Sequence, residues 1–501
     1  MRWLITLLTF ILMITPATAR GTLLWASDGE ANVPYVFHDP ASQSRMQGFE
    51  FDIMREVGHR LNVTPKFVQN DWDGLIPGLQ RGLYRLVVDG IEITPEHEDA
   101  VLFSRPYYQT GERIVVRKGQ SGLDSLEALR GHVVGTIRGT YAERLLRDSS
   151  DIAIRTYMEE TNAVSDLRNK RLDALLVDAP IAVYYGALSD DLKLVGKQIG
   201  TVHYGIAMRK GDYAMRDRVD RALSDMMADG TLQRILSRWN LWTPQMAAFT
   251  GDETEQNIAP VEWDRYRLAM ADRGGWIDRL ELYAGFLPLI LHGAWLTLAV
   301  SAAAMLIAVA LGVLLALMRH YGSSPLKFCA GVYIEVVRGT PLLIQILLIF
   351  YGLPRFGVNL SPFLAGVVAL GLNYAAYEAE NYRAGLMSVS QGQMEAAIAL
   401  NMTRLDAVRL VIVPQAFRTV VPVMTNDFIS LLKDSSLVSV ITLTELSQTY
   451  IRLSSTYYDY FGIGLLIGGA YLLLGLPFVR LARYAEKRLG RFMLANHSHH
   501  H

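Results

Sequence analysis

A single cysteine, Cys329, stands among 501 residues, so no internal disulfide can form and no cysteine-rich metal site can be built. A reducing compartment does not follow, since exported bacterial domains often lack disulfides. Neither charge sign is in surplus: 48 Lys and Arg face 49 Asp and Glu, and nothing in the composition suggests a nucleic-acid partner. No Gly-x-x-x-x-Gly-Lys-Ser/Thr stretch occurs, so no loop is present to cradle nucleotide phosphates. No Thr-Val-Gly-Tyr-Gly stretch occurs, which removes the backbone-lined filter of one class of ion channel. Apolar residues, by contrast, make up 51% of the chain and are unevenly spread. A soluble-looking N-terminal half precedes a C-terminal part in which apolar runs alternate with short charged loops.

Residues 1–20 read as a secretory signal peptide: Arg2, an apolar core from Trp3 to Ile14, then small Ala17, Thr18 and Ala19 at cleavage spacing. Residues 21–242 alternate Val/Ile/Leu-rich runs such as "RLVVDGIEI" and "DALLVDA" with helix-like stretches such as "GFEFDIMREVGHRLN". Strands buried on both faces and covered by helices give this pattern, so the region is predicted to be α/β, in two lobes. Residues 243–285 are mixed and charged, and read as a linker outside the membrane. Five apolar stretches follow within 286–484: Phe286–Met318, Phe328–Leu353, Pro362–Arg383, Val420–Ile441 and Phe461–Leu481. Each is close to the roughly 20 residues that cross a bilayer core as helix. With residues 21–242 outside, the inner loops hold Arg319, His320, Lys327, Arg404, Arg409 and Arg418, and the tail 485–501 adds Lys487, Arg488 and Arg491. The outer loops hold only Arg355 and Arg452. The positive-inside rule and the signal peptide thus agree on one orientation, with the C-terminus in the cytoplasm of a bacterium.

Residues 392–415, "GQMEAAIALNMTRLDAVRLVIVPQ", then lie on the cytoplasmic side. They read as two short helices that turn at Asn401, a residue tolerant of left-handed backbone. Thr403 is placed to cap the second helix, with Asp406 in its first turn, and Pro414 is expected to stop it. The order Glu395, Ala396, Ala397, Asn401, Val411, Val413, Pro414 resembles the coupling loop of ABC importer permeases, with Asn401 where that family has Gly. "YIEVVRGTPLLIQILLIFYGLP", "AAYEAENYRAG" and "NDFISLLKDSSLVS" extend the resemblance to the polar amino-acid permease subfamily over nearly all of the membrane region. It implies a five-helix type I importer domain working as a dimer with a second permease chain. It also implies a cytoplasmic ABC ATPase dimer as partner, which uses the ATP; this chain itself binds no cofactor.

Residues 21–242 resemble the family 3 extracellular solute-binding proteins, through "DWDGLIPGL", "FSRPYY", "VGTIRGTYAERLL" and "VDAP". The resemblance implies two lobes joined by crossovers near Gln109–Arg113 and His203–Gly205, closing on a small polar solute. It makes Trp72 a stacking ring, Asp178 the partner of a ligand amino group, and Gly139 and Thr140 a turn whose N–H groups take a carboxylate. Packing of Trp72 within its lobe and a solvated Asp178 at a strand end are the plainer alternatives. Where the family has Ser-Gly-x-Ser/Thr-Ile-Thr-x-x-Arg, this chain has Asp89, Gly90, Ile91, Glu92, Ile93, Thr94, Pro95, Glu96, His97. The clamping Arg is thus replaced by His97, which lacks a bidentate fork, and Arg138 is the expected substitute. Near Asp28, Asn32 stands where an aromatic is usual, and Tyr35 or Phe37 is the expected stand-in. An acidic cleft of this kind suggests a ligand with extra positive charge or without a simple α-carboxylate. The alternative is an ordinary site from which Glu92 points away.

Charges inside the apolar stretches are expensive and therefore face protein or water. Helical spacing predicts ion pairs Glu335–Arg338 and Glu380–Arg383, and Asn373, Glu378 and Asn426 are the candidates for the solute path. The closing His497, His499, His500 and His501 read as a tag remnant or tail, not as a metal site. Two rival functions share the same lobes: a ligand-gated channel, and an exported enzyme using Glu92 and His97 as acid and base. The first does not need the cytoplasmic elbow, and the second does not need five spans.

Overall fold

In the computed structural model the described residues are 21–30, 32–187, 191–252, 258–270, 276–457 and 459–497. The signal-peptide reading of residues 1–20 and the readings of His499, His500 and His501 lie outside them. The chain divides into two units, Met1–Ala271 and Asp272–His501.

The first unit holds twelve strands among the described residues: β1 Gly21–Ser27, β2 Phe37–Asp39, β3 Ser42–Gln47, β4 Val63–Gln69, β5 Leu86–Val87, β6 Leu102–Phe103, β7 Tyr108–Arg117, β8 Val133–Ile137, β9 Ala153–Tyr157, β10 Ala174–Asp178, β11 Leu192–Tyr204 and β12 Ala207–Met208. They form two five-stranded sheets, β4-β1-β5-β12-β6 and β11-β7-β10-β8-β9, and a β2-β3 hairpin. Each sheet has its own core. Leu75, Leu79, Val87 and Ala207 are fully buried in one lobe, and Ile114, Val134, Leu146 and Leu176 in the other. The lobes are joined by β7 leaving and β11 returning. These strands pair antiparallel at the crossover, with Tyr108 against Tyr204 and Gln109 against His203. Two adjacent strands at one seam make a hinge, because each lobe keeps its own core on either side of them.

The helix Phe49–Arg60 starts on a backbone that only glycine accepts. Gly48 has φ 134°, and a Cβ there would lie 2.0 Å from the carbonyl oxygen of Tyr35. The close approach lets Phe49 N and Glu50 N donate to Pro34 O and Tyr35 O, at 3.1 and 3.2 Å. Tyr35 is thereby held by its backbone as well as by its ring.

Residues read as linker are in part receptor. The helix Pro244–Thr250 is capped by Thr243, and its Met246 is fully buried. The helix Val261–Met270 buries Tyr266 against Phe37 and Tyr184, with ring centroids 5.4 and 5.5 Å apart, and Trp263 lies edge-on to Tyr184 at 4.6 Å. Phe37 belongs to one lobe and Tyr184 to the other, so this helix packs across both. Its Glu262 pairs with Arg238 and, at 2.6 Å, with Arg265.

In the second unit three helices among the described residues are long and apolar enough to cross a membrane: Leu287–Tyr321, Arg404–Ile441 and Tyr460–Tyr484. The stretch Phe328–Leu353, expected as one span, is instead two helical segments, Ser324–Gly339 and Leu342–Phe356, bent by 106°. Pro341 causes the break: it lacks an N–H and drives Thr340 out of the helical region, to φ −115° and ψ 143°. Pro362–Met387 is a helix of 26 residues, but Glu378, Glu380 and Arg383 lower its apolar character. A further helix, Leu446–Tyr457, occupies what was read as an outer loop, and it buries Arg452. Glu445 starts it, accepting from Ser447 N at 2.7 Å, Gln448 N at 3.0 Å and the Tyr471 hydroxyl at 2.7 Å. Those donors account for a fully buried carboxylate in an apolar bundle.

Candidate functional site

Eight of the eleven expected ligand residues line one cavity between the lobes: Asp28, Tyr35, Trp72, Asp89, Gly90, Glu92, Thr140 and Asp178. It holds about 590 Å³ of empty space and is partly open. The strand order explains the convergence. Asp28 and Asp89 follow β1 and β5, which are neighbours in one sheet, and Asp178 ends β10 in the other. Ligand sites of open α/β sheets form at such strand ends.

Asp28 is held by donors from three directions: Glu30 N (3.2 Å), Gln69 Nε2 (3.1 Å) and Trp72 N (3.2 Å). The Trp72 bond caps the helix Trp72–Arg81 and fixes its ring at the cavity wall. Trp72 Nε1 reaches across the seam to the Arg138 carbonyl at 3.2 Å. Asp89 accepts from Ser27 Oγ, Asn32 Nδ2 and Asp28 N through one oxygen, and its other oxygen is buried without a donor. Asn32 therefore orients a carboxylate where an aromatic ring was expected, and Tyr35 takes the place on the wall. Asp178 accepts from the Tyr204 hydroxyl and from the Tyr35 hydroxyl at 3.3 Å.

Three expected ligand residues do not line the cavity. The Arg138 guanidinium turns outward to Asp73, at 2.5 Å, and both side chains are about half exposed. His97 Nδ1 lies 2.8 Å from the Glu92 carbonyl oxygen, on a helix turn capped by Thr94. Gly139 N donates to Glu143 Oε2 at 2.7 Å, so that N–H is already engaged. The reading in which Glu92 points away is also overturned. Its carboxylate crosses the seam and accepts Tyr141 N with both oxygens, at 3.0 and 2.8 Å. Glu159 and Glu160, at the start of the helix Glu160–Arg168, also line the cavity and were missed. Their only signal is the acidic doublet in "MEETNAV".

Burial pushes the carboxyls of Asp89, Glu92 and Glu112 well above the usual range, and like-charged neighbours add to it. Oxygens of Glu92, Glu112 and Asp178 lie within 4.8 Å of one another, and both Glu112 oxygens are buried without a donor. Among the described residues this is the one group placed to hold a metal ion; an ammonium group or a shared proton satisfies the same geometry. Outside this trio, burial raises Glu50 to about 8, Asp71 to about 8, Glu160 to about 8 and Glu159 to about 7. A carboxyl with a raised native pKa binds more protons folded than unfolded, so stability falls as pH climbs through the window between the two values. The receptor's melting temperature is therefore expected to drop between about pH 5 and pH 8. Glu50→Gln keeps an acceptor for Gly90 N, 2.8 Å from Glu50 in the parent, and is expected to add about 2 kcal/mol at pH 8 and to flatten that slope. Thermal unfolding of both chains across the pH range checks this; a parent more stable at pH 8 than at pH 5 contradicts it.

The elbow has the expected bend. The helix Gln391–Ala399 closes on Asn401 at φ 61°. Met402 N donates to Ala397 O at 3.1 Å and Asn401 N to Ile398 O at 2.9 Å, the two bonds of a Schellman motif. Thr403 Oγ1 then accepts Asp406 N at 3.2 Å. Ala397 and Ala407 are buried between the two short helices, while Glu395, Ala396 and Asn401 are exposed. Leu400 and Leu405 are 79% and 77% exposed at the tip. Pro414 does not stop the second helix. Residues Val408–Ile412 wind as a π-helix, and Arg404–Ile441 runs on as one helix. The widened turn just before the proline makes room for its ring and for the N–H it lacks.

Of the expected path residues, Asn373 and Glu378 are buried in the helix Pro362–Met387 and Asn426 is exposed. Asn373 Nδ2 donates to Gln345 at 3.1 Å. Asp427 and Tyr382 are neighbours of Glu378, and Asp427 accepts from Asn381 at 2.6 Å. Glu380 pairs with Arg383 at 2.7 Å and also with Arg319 at 2.5 Å. The Glu335–Arg338 pair is not formed among the described residues; the Arg338 guanidinium lies over the Tyr377 ring at 5.1 Å instead.

A hinged two-lobe receptor and a helical membrane unit with an exposed bent ledge together define a solute receptor joined to its own permease. The chain belongs to the binding-protein-dependent transport system inner membrane components, matched over residues 308–491. It carries at residues 25–241 a bacterial extracellular solute-binding protein of family 3. It is similar to the L-cystine transport system permease protein TcyB of Bacillus subtilis, at 41% identity over 32% of this chain and 69% of that one. The arginine transport system permease protein ArtQ of the same species is 34% identical over 40% of this chain and 93% of its own length. On the receptor side, the L-cystine-binding protein TcyJ of Escherichia coli is 30% identical over 45% of this chain and 85% of its own. A solved ancestral arginine-binding protein bound to glutamine is 32% identical over 44% of this chain and 99% of that one, with a TM-score of 0.42.

Proposed function

We propose that the chain is the membrane and receptor subunit of an ATP-driven importer of amino acids or related polar solutes, with a preference for cationic ones. Residues 21–242 capture the solute outside a bacterial inner membrane. Two permease chains form the path, and a separate cytoplasmic ATPase dimer supplies the force. The cystine and arginine systems among its relatives support the solute class. The observation that carries the proposal is the ledge: two short helices fixed at a defined bend, with Leu400 and Leu405 presented at their tip. With Ile398 and Leu410 also exposed on the same projection, these leucines form an apolar tip that suits a partner groove. Asn373, Glu378 and Asn426, with Asp427 beside Glu378, are the proposed lining of the path.

The test is purification of the tagged full chain from cells of its source, followed by measurement of ATP hydrolysis in lipid with and without solute. An ABC ATPase copurifying in equal amount, with hydrolysis stimulated by solute, is the expected result. Solute movement by the chain alone, with residues 395–414 scrambled and no ATPase present, overturns it.

A further inference from the structure

Among the described residues the cavity wall carries six carboxylates, Asp28, Asp89, Glu92, Glu159, Glu160 and Asp178, and no Lys, Arg or His. A ligand carboxylate entering such a site needs either a cation or unengaged N–H donors. No cation is on the wall, and the N–H groups of Gly139 and Tyr141 are already engaged. The helix Tyr141–Asp148 points its N-terminus at the cavity, and a helix N-terminus is a ready anion site. That site is filled from within: Tyr141 N donates to both oxygens of Glu92, and Gly139 N donates to Glu143. The nearest guanidinium groups are engaged elsewhere, Arg138 with Asp73 at 2.5 Å and Arg144 with Glu96 at 2.8 Å. Glu92 thus stands where a bound carboxylate would stand, supplied by the protein.

The unmet need in the cleft is for positive charge, and it has two poles. At one, Asp178 and Glu92 line the cavity with Glu112 fully buried behind them, and oxygens of all three lie within 4.8 Å of one another. At the other, Asp89 keeps one buried oxygen without a donor, next to Asp28. A single ammonium cannot satisfy both. We propose that the cleft takes a solute with two cationic nitrogen groups and no free carboxylate: an α,ω-diamine or an amine bearing a guanidinium. This deepens the uptake reading above and rests on it.

Matched pairs that differ only in the carboxylate test the proposal: agmatine against arginine, and cadaverine against lysine, titrated by calorimetry into the full chain in lipid nanodiscs. Each decarboxylated member is expected to bind at least tenfold tighter than its amino acid. Glu92→Ala, which opens the Tyr141 N–H and removes one negative charge, is expected to shrink that ratio at least tenfold. A parent chain that binds arginine or lysine as tightly as the decarboxylated partner overturns the inference, and so does failure of all four to bind. An unchanged ratio in a folded Glu92→Ala chain also overturns it. Copurification with an ATPase does not depend on which solute is bound, so the uptake reading stands or falls separately.

Discussion

Asp178→Asn is expected to lower solute affinity at least about 100-fold while raising the melting temperature of the empty receptor. The two effects have one cause. Asp178 sits within 4.8 Å of Glu92 and Glu112, and its own carboxyl is pushed up by burial. In the empty cleft the three acids repel or share protons, so removing one charge relieves the cluster. Asn keeps the size, and its amide oxygen can accept from Tyr35 and Tyr204 as the carboxylate does. What it loses is the charge that meets a cation. Breaking a buried charged hydrogen bond across an interface costs about 2–5 kcal/mol, and each 1.4 kcal/mol is about tenfold in affinity. Calorimetric titration of the full chain with its solute, run beside thermal unfolding without it, separates the terms. If affinity and stability fell together, Asp178 would be a packing residue; if affinity held, the cationic reading of the cleft would be wrong.

The second large effect belongs to the ledge. The double change Leu400→Asp and Leu405→Asp is expected to cut solute-stimulated ATP hydrolysis and uptake at least about 30-fold, with solute binding unchanged. At 79% and 77% exposure these side chains hold little of the fold together, and substitutions at such positions usually stay within about 0.5 kcal/mol of the parent. Buried in a partner groove, two apolar anchors are worth about 2 kcal/mol or more each. Asn401→Gly serves as the control, because glycine accepts the φ of 61° found there and keeps the bend. Asn401→Val does not accept it and is expected to uncouple hydrolysis as the double change does. Full stimulation in the double variant would mean that force enters the permease elsewhere.

Much of this architecture can be read from residue type alone, and the parts that cannot share a cause. Buried strands announce themselves as short apolar runs, so the α/β lobes were legible, while the crossovers at Gln109 and His203 came from the family resemblance and not from residue type. Asn401 and Thr403 are local signals for a local turn. The 106° break at Pro341 hides within an apolar window, because hydropathy averages over the one residue that decides direction. Val408–Ile412 hides for the opposite reason: Pro414 looks like a stop until a widened turn accommodates it. Leu446–Tyr457 reads as a loop because its sequence is polar, yet Glu445, Tyr471 and their neighbours satisfy one another inside the bundle. In the cleft, the family pattern located eight wall residues but not side-chain direction. Arg138 chose Asp73 on the surface, and Glu92 chose a backbone donor across the seam. Both choices depend on what lies opposite once the lobes meet, and single-sequence patterns do not carry that information.

The helix Val261–Met270 touches Phe37 of one lobe and Tyr184 of the other. It therefore acts as a clasp laid over the hinge: any swing that parts the lobes must pull one of those two footholds away from it.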